Sequence, residues 1–129
     1  MSQKNLGIIG GGQLGSLLAV AAKKLNIKTT IYCDDANAPA QNFCDEFIFG
    51  NYNDQKKILE FTDKIDVVTY EFENIPYETL NEINKIKPVL PKPSINRLVQ
   101  HRLAEKDFIN KLNIRTTRYV SVEKKSDIN

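Results

Sequence analysis

From Leu6 to Gly15 the chain reads as a strand, a tight glycine turn and the start of a helix, in that order. Leu6, Ile8 and Ile9 form the apolar run of a buried parallel strand, and Gly10, Gly12 and Gly15 follow at G-x-G-x-x-G spacing. Beyond the turn, Leu14, Leu17, Leu18, Ala21, Ala22 and Leu25 recur at helical intervals and predict one apolar stripe, the face a helix turns to a core. A helix that begins at such a turn directs unpaired backbone N–H groups and the positive end of its dipole at whatever lies above it. A phosphate is the natural occupant.

The turn narrows the ligand chemistry without naming the ligand. Dinucleotide enzymes use it, and so do mononucleotide and sugar-phosphate binders; glycines that only let helix and strand pack closely give the same spacing. Asp34 and Asp35 follow the next strand-like run, residues 28–32. In dinucleotide-binding folds an acid about 20 residues past the glycines holds a ribose hydroxyl. A nicotinamide or flavin module is therefore one reading of this chain. Solvated loop carboxylates explain the two aspartates equally well.

At 129 residues the chain has the size of one domain with a piece of a second. Eighteen Lys and Arg against 16 Asp and Glu leave a net charge of +2, scattered rather than striped, which does not point to a nucleic-acid partner. No run is long and apolar enough for a membrane span, and the polar start is unlike a signal peptide, so the cytosol is the expected compartment. Cys33 and Cys44 match neither zinc-knuckle nor C-x-x-C spacing, and the sole histidine is His101. Two free, apolar-behaving thiols are expected, with no metal site.

Strand and helix signals alternate along the rest of the chain. Residues 46–49 form a brief strand, Asp54 caps a helix over 55–64 with Ile58, Leu59 and Phe61 facing inward, and 65–70 is a β-branched strand. Pro76 suits the first turn of a helix to about Lys85, and Val89-Leu90 is a short strand before Pro91. Such alternation predicts right-handed βαβ units and a mainly parallel sheet with helices on both faces. Prolines 88, 91 and 93 place the end of the first domain at residue 93, with Ser94 capping one long helix over 95–112. A strand-like run at 116–122 and a polar tail complete a second segment, 94–129, too small for a core of its own.

Parallel sheets bind ligands beyond the carboxyl ends of their strands. There the glycine turn should meet the loop after residue 70, where Glu71 and Glu73 alternate with Phe72 and Asn74 and so project to one side of extended backbone. Carboxylates so placed accept from amines, ribose hydroxyls or amidine-like rings; an ordinary solvated acidic loop is the alternative. In the long helix, Arg102 and Lys106 share a face with Ile95, Leu98, Val99 and Ile109, where cations need an anion or an outlet to water. Glu105 and Asp107 could also pair with them along the helix.

Three stretches in order, Gly11-Gly12-Gln13-Leu14-Gly15, Tyr70-Glu71-Phe72-Glu73-Asn74-Ile75-Pro76 and Gln100-His101-Arg102-Leu103-Ala104-Glu105-Lys106, resemble the N5-carboxyaminoimidazole ribonucleotide synthetase family of the ATP-grasp superfamily. The resemblance implies an α/β, Rossmann-like pre-ATP-grasp domain at 1–93 and the start of an ATP-grasp domain at 94–129. It implies a ligase that carboxylates 5-aminoimidazole ribonucleotide in purine biosynthesis, with ATP and bicarbonate forming carboxyphosphate. By the same resemblance Gly12, Gln13, Leu14, Glu71 and Glu73 hold the ribonucleotide, and Arg102 and Lys106 lie at ATP. Mg²⁺ ligands and most of the nucleotide pocket belong to family segments not found in this sequence, so the chain alone is expected not to turn over ATP. Family members are commonly dimers, which makes a homodimer an expectation as well. A stand-alone dinucleotide module and a non-catalytic scaffold are the rival readings.

Overall fold

The computed structural model describes residues 3–128. Four strands, β1 (Asn5–Ile9), β2 (Lys28–Cys33), β3 (Glu46–Phe49) and β4 (Val67–Tyr70), form one parallel sheet in the order β3-β2-β1-β4. A single parallel bridge from Val68 to Val89 extends the sheet by one residue beyond β4, which is all that becomes of the short strand expected at 89–90. Helix α1 (Gln13–Lys24), a 3₁₀ turn at Pro39–Asn42 and helix α2 (Gln55–Asp63) connect the strands in turn, and α3 (Tyr77–Asn84) leads from β4 to the Val89 bridge. The α/β fold with a parallel sheet expected from the alternating pattern is the one observed. Among the described residues, no helix is long and apolar enough to cross a membrane.

Successive strand residues point to opposite faces, and the two faces carry cores of different character. Ile9, Tyr32, Val68, Phe61, Leu80 and Ile83 belong to a large cluster under α2 and α3. Ile8, Ile31, Ala19, Ala38 and Ala40 make a thinner one under α1 and the 3₁₀ turn. That thinness overturns the expected orientation of α1. Of the expected stripe Ala22 is buried, beside Gly15, Ser16 and Ala19, while Leu14, Leu17 and Leu25 are 57%, 58% and 72% exposed. Glycine and alanine let the helix axis come close to the strands; leucines on that side would hold it off. Of the residues expected inward on α2, Ile58 and Phe61 are buried and Leu59 is exposed.

Asp54 caps α2 as expected, its carboxylate accepting from the Lys57 N–H at 3.1 Å. Pro76 stands at the N-cap of α3 rather than within its first turn. The long helix expected over 95–112 is two helices, α4 (Pro93–Val99) and α5 (Arg102–Lys111). Lys92, not Ser94, is the N-cap of α4, with Pro93 in its first turn. The break lies at His101, whose extended backbone (φ −111°, ψ 106°) stops α4 from continuing. Its Nδ1 accepts from the Ala104 N–H at 3.3 Å and so begins α5. Residues 116–122 join no β-ladder among the described residues. They follow α5 through side chains instead, with the Tyr119 hydroxyl donating to Asp107 at 2.5 Å and Lys106 donating to Thr117 at 3.2 Å.

Candidate functional site

The strand order decides where a ligand can sit. From β1 the chain moves to β2 and β3 on one side, then crosses back to β4 on the other, so the direction of winding reverses between β1 and β4. A crevice opens at the carboxyl ends of strands that flank such a switch. The parallel register pairs Ile9 with Tyr70, which makes Gly10 and Glu71 the first residues past each strand. The Glu71 N–H donates to the Ile9 carbonyl at 3.2 Å and continues the ladder by one step.

Glycine is required on the β1 side of this crevice. Gly10 adopts φ +108°, and a Cβ on it would stand 2.6 Å from Glu71 Cγ. Gly12 is the N-cap of α1 and has no side chain to satisfy the helix's first amides. Part of that task falls to Glu71, whose Oε1 accepts from the Gly12 N–H at 3.3 Å. The amide fan is thus not fully open: its nearest anion is the protein's own carboxylate. Among the described residues no acceptor takes the N–H groups of Gln13 and Leu14, which remain free for a ligand. Lys23 and Lys24 in the last turn of α1 complement the dipole at its other end.

Beside the turn is an open cavity of about 380 Å³ lined by Leu14, Leu17, Leu18, Tyr70 and Glu71. Its walls are largely hydrocarbon, with one carboxylate at the rim. Such a hollow accepts a flat ring against leucine and tyrosine while a polar edge meets the carboxylate. Burial raises the Tyr70 phenol above its ordinary pKa, so this hydroxyl is a neutral donor at physiological pH.

The expected site residues do not all converge. Gly12, Leu14 and Glu71 meet at the crevice, and Gln13 is exposed at the first position of α1. The Glu73 side chain is exposed and has no hydrogen-bond partner among the described residues; its contribution is a backbone carbonyl that accepts from Gln100. Arg102 pairs with Glu105 at 3.1 Å and is otherwise solvated, with 79% of its side chain exposed. Lys106 donates to Thr117 and lies 5.4 Å from the centre of the Tyr119 ring. The break at His101 removes the shared apolar face expected to join these two cations to Ile95, Leu98 and Val99. Tyr70 and Leu17 were not expected at the site: the first reads as the last residue of a strand, the second as core. Asp35 is used locally, accepting from the Asn37 N–H at 2.8 Å to close a turn.

A doubly wound sheet with a glycine turn and a carboxylate facing each other across the switch point defines a Rossmann-like domain. The family model of the ribonucleotide synthetase preATP-grasp domain matches residues 3–100, and the chain belongs to that family. It is 41% identical over 123 residues to the bifunctional purine synthesis protein purC/E of Dictyostelium discoideum, covering 95% of this chain and 12% of that protein. The N5-carboxyaminoimidazole synthetase of Staphylococcus aureus, complexed with ADP, superposes with a TM-score of 0.89 at 33% identity, over 97% of this chain and 34% of that one. The N5-carboxyaminoimidazole synthase of Aspergillus clavatus, in complex with ADP and 5-aminoimidazole ribonucleotide, gives 0.79 at 27% identity over 90% and 31%. The chain spans a third or less of the length of the curated relatives it matches.

Proposed function

We propose that this chain is the ribonucleotide-binding part of an ATP-dependent carbon–nitrogen ligase that carboxylates 5-aminoimidazole ribonucleotide with bicarbonate. The observation that carries this reading is the meeting of Glu71 with the glycine turn beside a hydrocarbon-walled hollow. The free N–H groups of Gln13 and Leu14 suit the phosphate or ribose end of the substrate. The Glu71 carboxylate suits its amine or a ribose hydroxyl. ATP would phosphorylate bicarbonate to carboxyphosphate; the exocyclic amine would attack the carboxyl carbon, releasing phosphate and a proton. This chain's residues bind and orient the amine's carrier. Arg102, at the start of α5, and Lys106 are assigned to the ATP side, in the segment 94–129 that begins the ATP-grasp domain. Both would first release their present partners, Glu105 and Thr117.

Mg²⁺ would neutralise the charge that builds up during phosphoryl transfer. Among the described residues no three His, Cys, Asp or Glu side chains stand where they could share a metal ion. By the resemblance its ligands are assigned to family segments outside the third or less of its relatives that this chain matches, and no ATP turnover is expected from the chain alone. A cytoplasmic location and a homodimer fit the same reading.

Titration of the ¹⁵N-labelled chain with 5-aminoimidazole ribonucleotide and with NAD tests the assignment. Amide shifts at residues 12–15 and 71 with the ribonucleotide, and none with NAD, are expected. Equal responses to both ligands, or a response to NAD alone, would return the chain to the dinucleotide modules.

A further inference from the structure

The loop that carries Glu71 over the glycine turn is held at both ends. At its start, the Glu71 N–H is tied to the Ile9 carbonyl. At its far end the carboxamide nitrogen of Gln100 donates one proton to the Glu73 carbonyl at 2.6 Å and the other to the Ile75 carbonyl at 2.7 Å. Asn96, one turn earlier in α4 and fully buried, donates to the same Ile75 carbonyl at 3.0 Å. A carbonyl oxygen has two lone pairs, so Ile75 can accept both amides.

Between Glu71 and Ile75, Phe72 and Asn74 make no backbone hydrogen bond among the described residues, and Phe72 packs against the large core cluster. The direction in which Glu71 leaves the backbone is therefore set by the ladder bond behind it and by the hold that Gln100, with Asn96, keeps on the residues ahead. A primary amide of this length supplies two protons in one plane to two neighbouring carbonyls. Asparagine is one methylene too short, and glutamate has acceptors where donors are needed. The position is in the turn between α4 and α5, where an exposed glutamine would pass for a surface residue.

We infer that Gln100 is a positioning residue for the crevice: its paired donations to Glu73 and Ile75 keep the Glu71 carboxylate over Gly10 and Gly12. The inference rests on the ribonucleotide reading only in its consequence for affinity, because the contact between Glu71 and Gly12 is made by the chain's own atoms. Loss of two hydrogen bonds from the loop is worth about a tenfold loss of affinity for any ligand that needs Glu71 in place.

The test is a double-mutant cycle with Gln100→Met, which keeps the length and removes both donors, and Glu71→Ala. In the ligand-free chain, the Gly12 amide proton resonance should move in Gln100→Met in the direction it takes in Glu71→Ala. With 5-aminoimidazole ribonucleotide as probe, Gln100→Met should weaken binding about tenfold in the parent chain but less than about twofold in the Glu71→Ala background. A general loosening of the fold would weaken binding by the same factor in both backgrounds, and that result overturns the inference. So does a Gly12 resonance that stays in place in Gln100→Met. Gln100→Glu provides the same comparison should the methionine variant fold poorly. If the parent chain shows no response to the ribonucleotide at residues 12–15, the proposed function falls, and the ligand-free comparison still decides the role of Gln100.

Discussion

Gly15→Ala separates helix propensity from tertiary packing in one substitution. Gly15 is in the first turn of α1, and in an isolated helix the change to alanine stabilises by about 1 kcal/mol. In this fold a Cβ at that position would stand 2.6 Å from the Gly10 carbonyl oxygen, a backbone atom that no rotamer change can move away. Restoring an ordinary contact pushes the start of α1 about half an ångström off the glycine turn. Overpacking of this kind costs about 2–3 kcal/mol, so the net effect is a loss of about 1–2 kcal/mol. For a domain of this size that lowers the melting temperature by about 4–8 °C. Urea unfolding followed by circular dichroism, with an unchanged m value, measures it directly. Ala21→Gly, at an exposed position of the same helix, is the control and should destabilise by about 1 kcal/mol through propensity alone. A Gly15→Ala variant more stable than the parent by about 1 kcal/mol would refute the close approach of α1 to the turn.

Three further outcomes are expected. Leu17→Lys should change stability by no more than about 0.5 kcal/mol, while Ala19→Leu should cost about 1–3 kcal/mol, and the opposite ranking by thermal melting would restore the leucine stripe to the core. Asp54→Ala should cost about 1 kcal/mol in urea unfolding by leaving the Lys57 N–H uncapped, and Asp54→Asn should recover most of it. Burial, followed by the charges of Asp54 and Asp34, pushes the Tyr32 phenol up to about 12, and its hydroxyl donates to the Asn51 carbonyl at 2.6 Å. The folded chain keeps this proton where the unfolded chain loses it, near pH 10, so stability is complete below about pH 10 and falls as pH rises toward 12. Tyr52, also raised by burial, contributes in the same direction. Urea midpoints between pH 8 and 12 should therefore decline less steeply in Tyr32→Phe than in the parent, and identical slopes would count against the shift.

Much of the architecture is legible in the order of residues, for reasons that are local. A β-branched run such as Val67-Val68-Thr69 suits extended backbone, and Asp54 can cap a helix using only the residues that follow it. Orientation is less legible. The leucines of α1 form as good a helical stripe as any core face, yet the sheet is approached by Gly15, Ala19 and Ala22. Hydrophobic periodicity reports that a face is apolar, not which face is nearest the strands. The break at His101 was hidden for a similar reason: histidine is a rare cap, and residues 95–112 keep helical spacing across it.

The residues alone determined a glycine turn between strand and helix, an alternating α/β pattern and an acidic loop after the fourth strand, since each is set by neighbours within a few positions. Only the three-dimensional arrangement decided that Gly12 and Glu71, separated by 59 residues, would touch. That contact follows from the pairing of β1 with β4, a choice of strand order no short window contains. It also decided that Gln100 would reach back 25 residues to the Ile75 carbonyl, because the turn after α4 brings a carboxamide beside a loop whose carbonyls have no strand to bond.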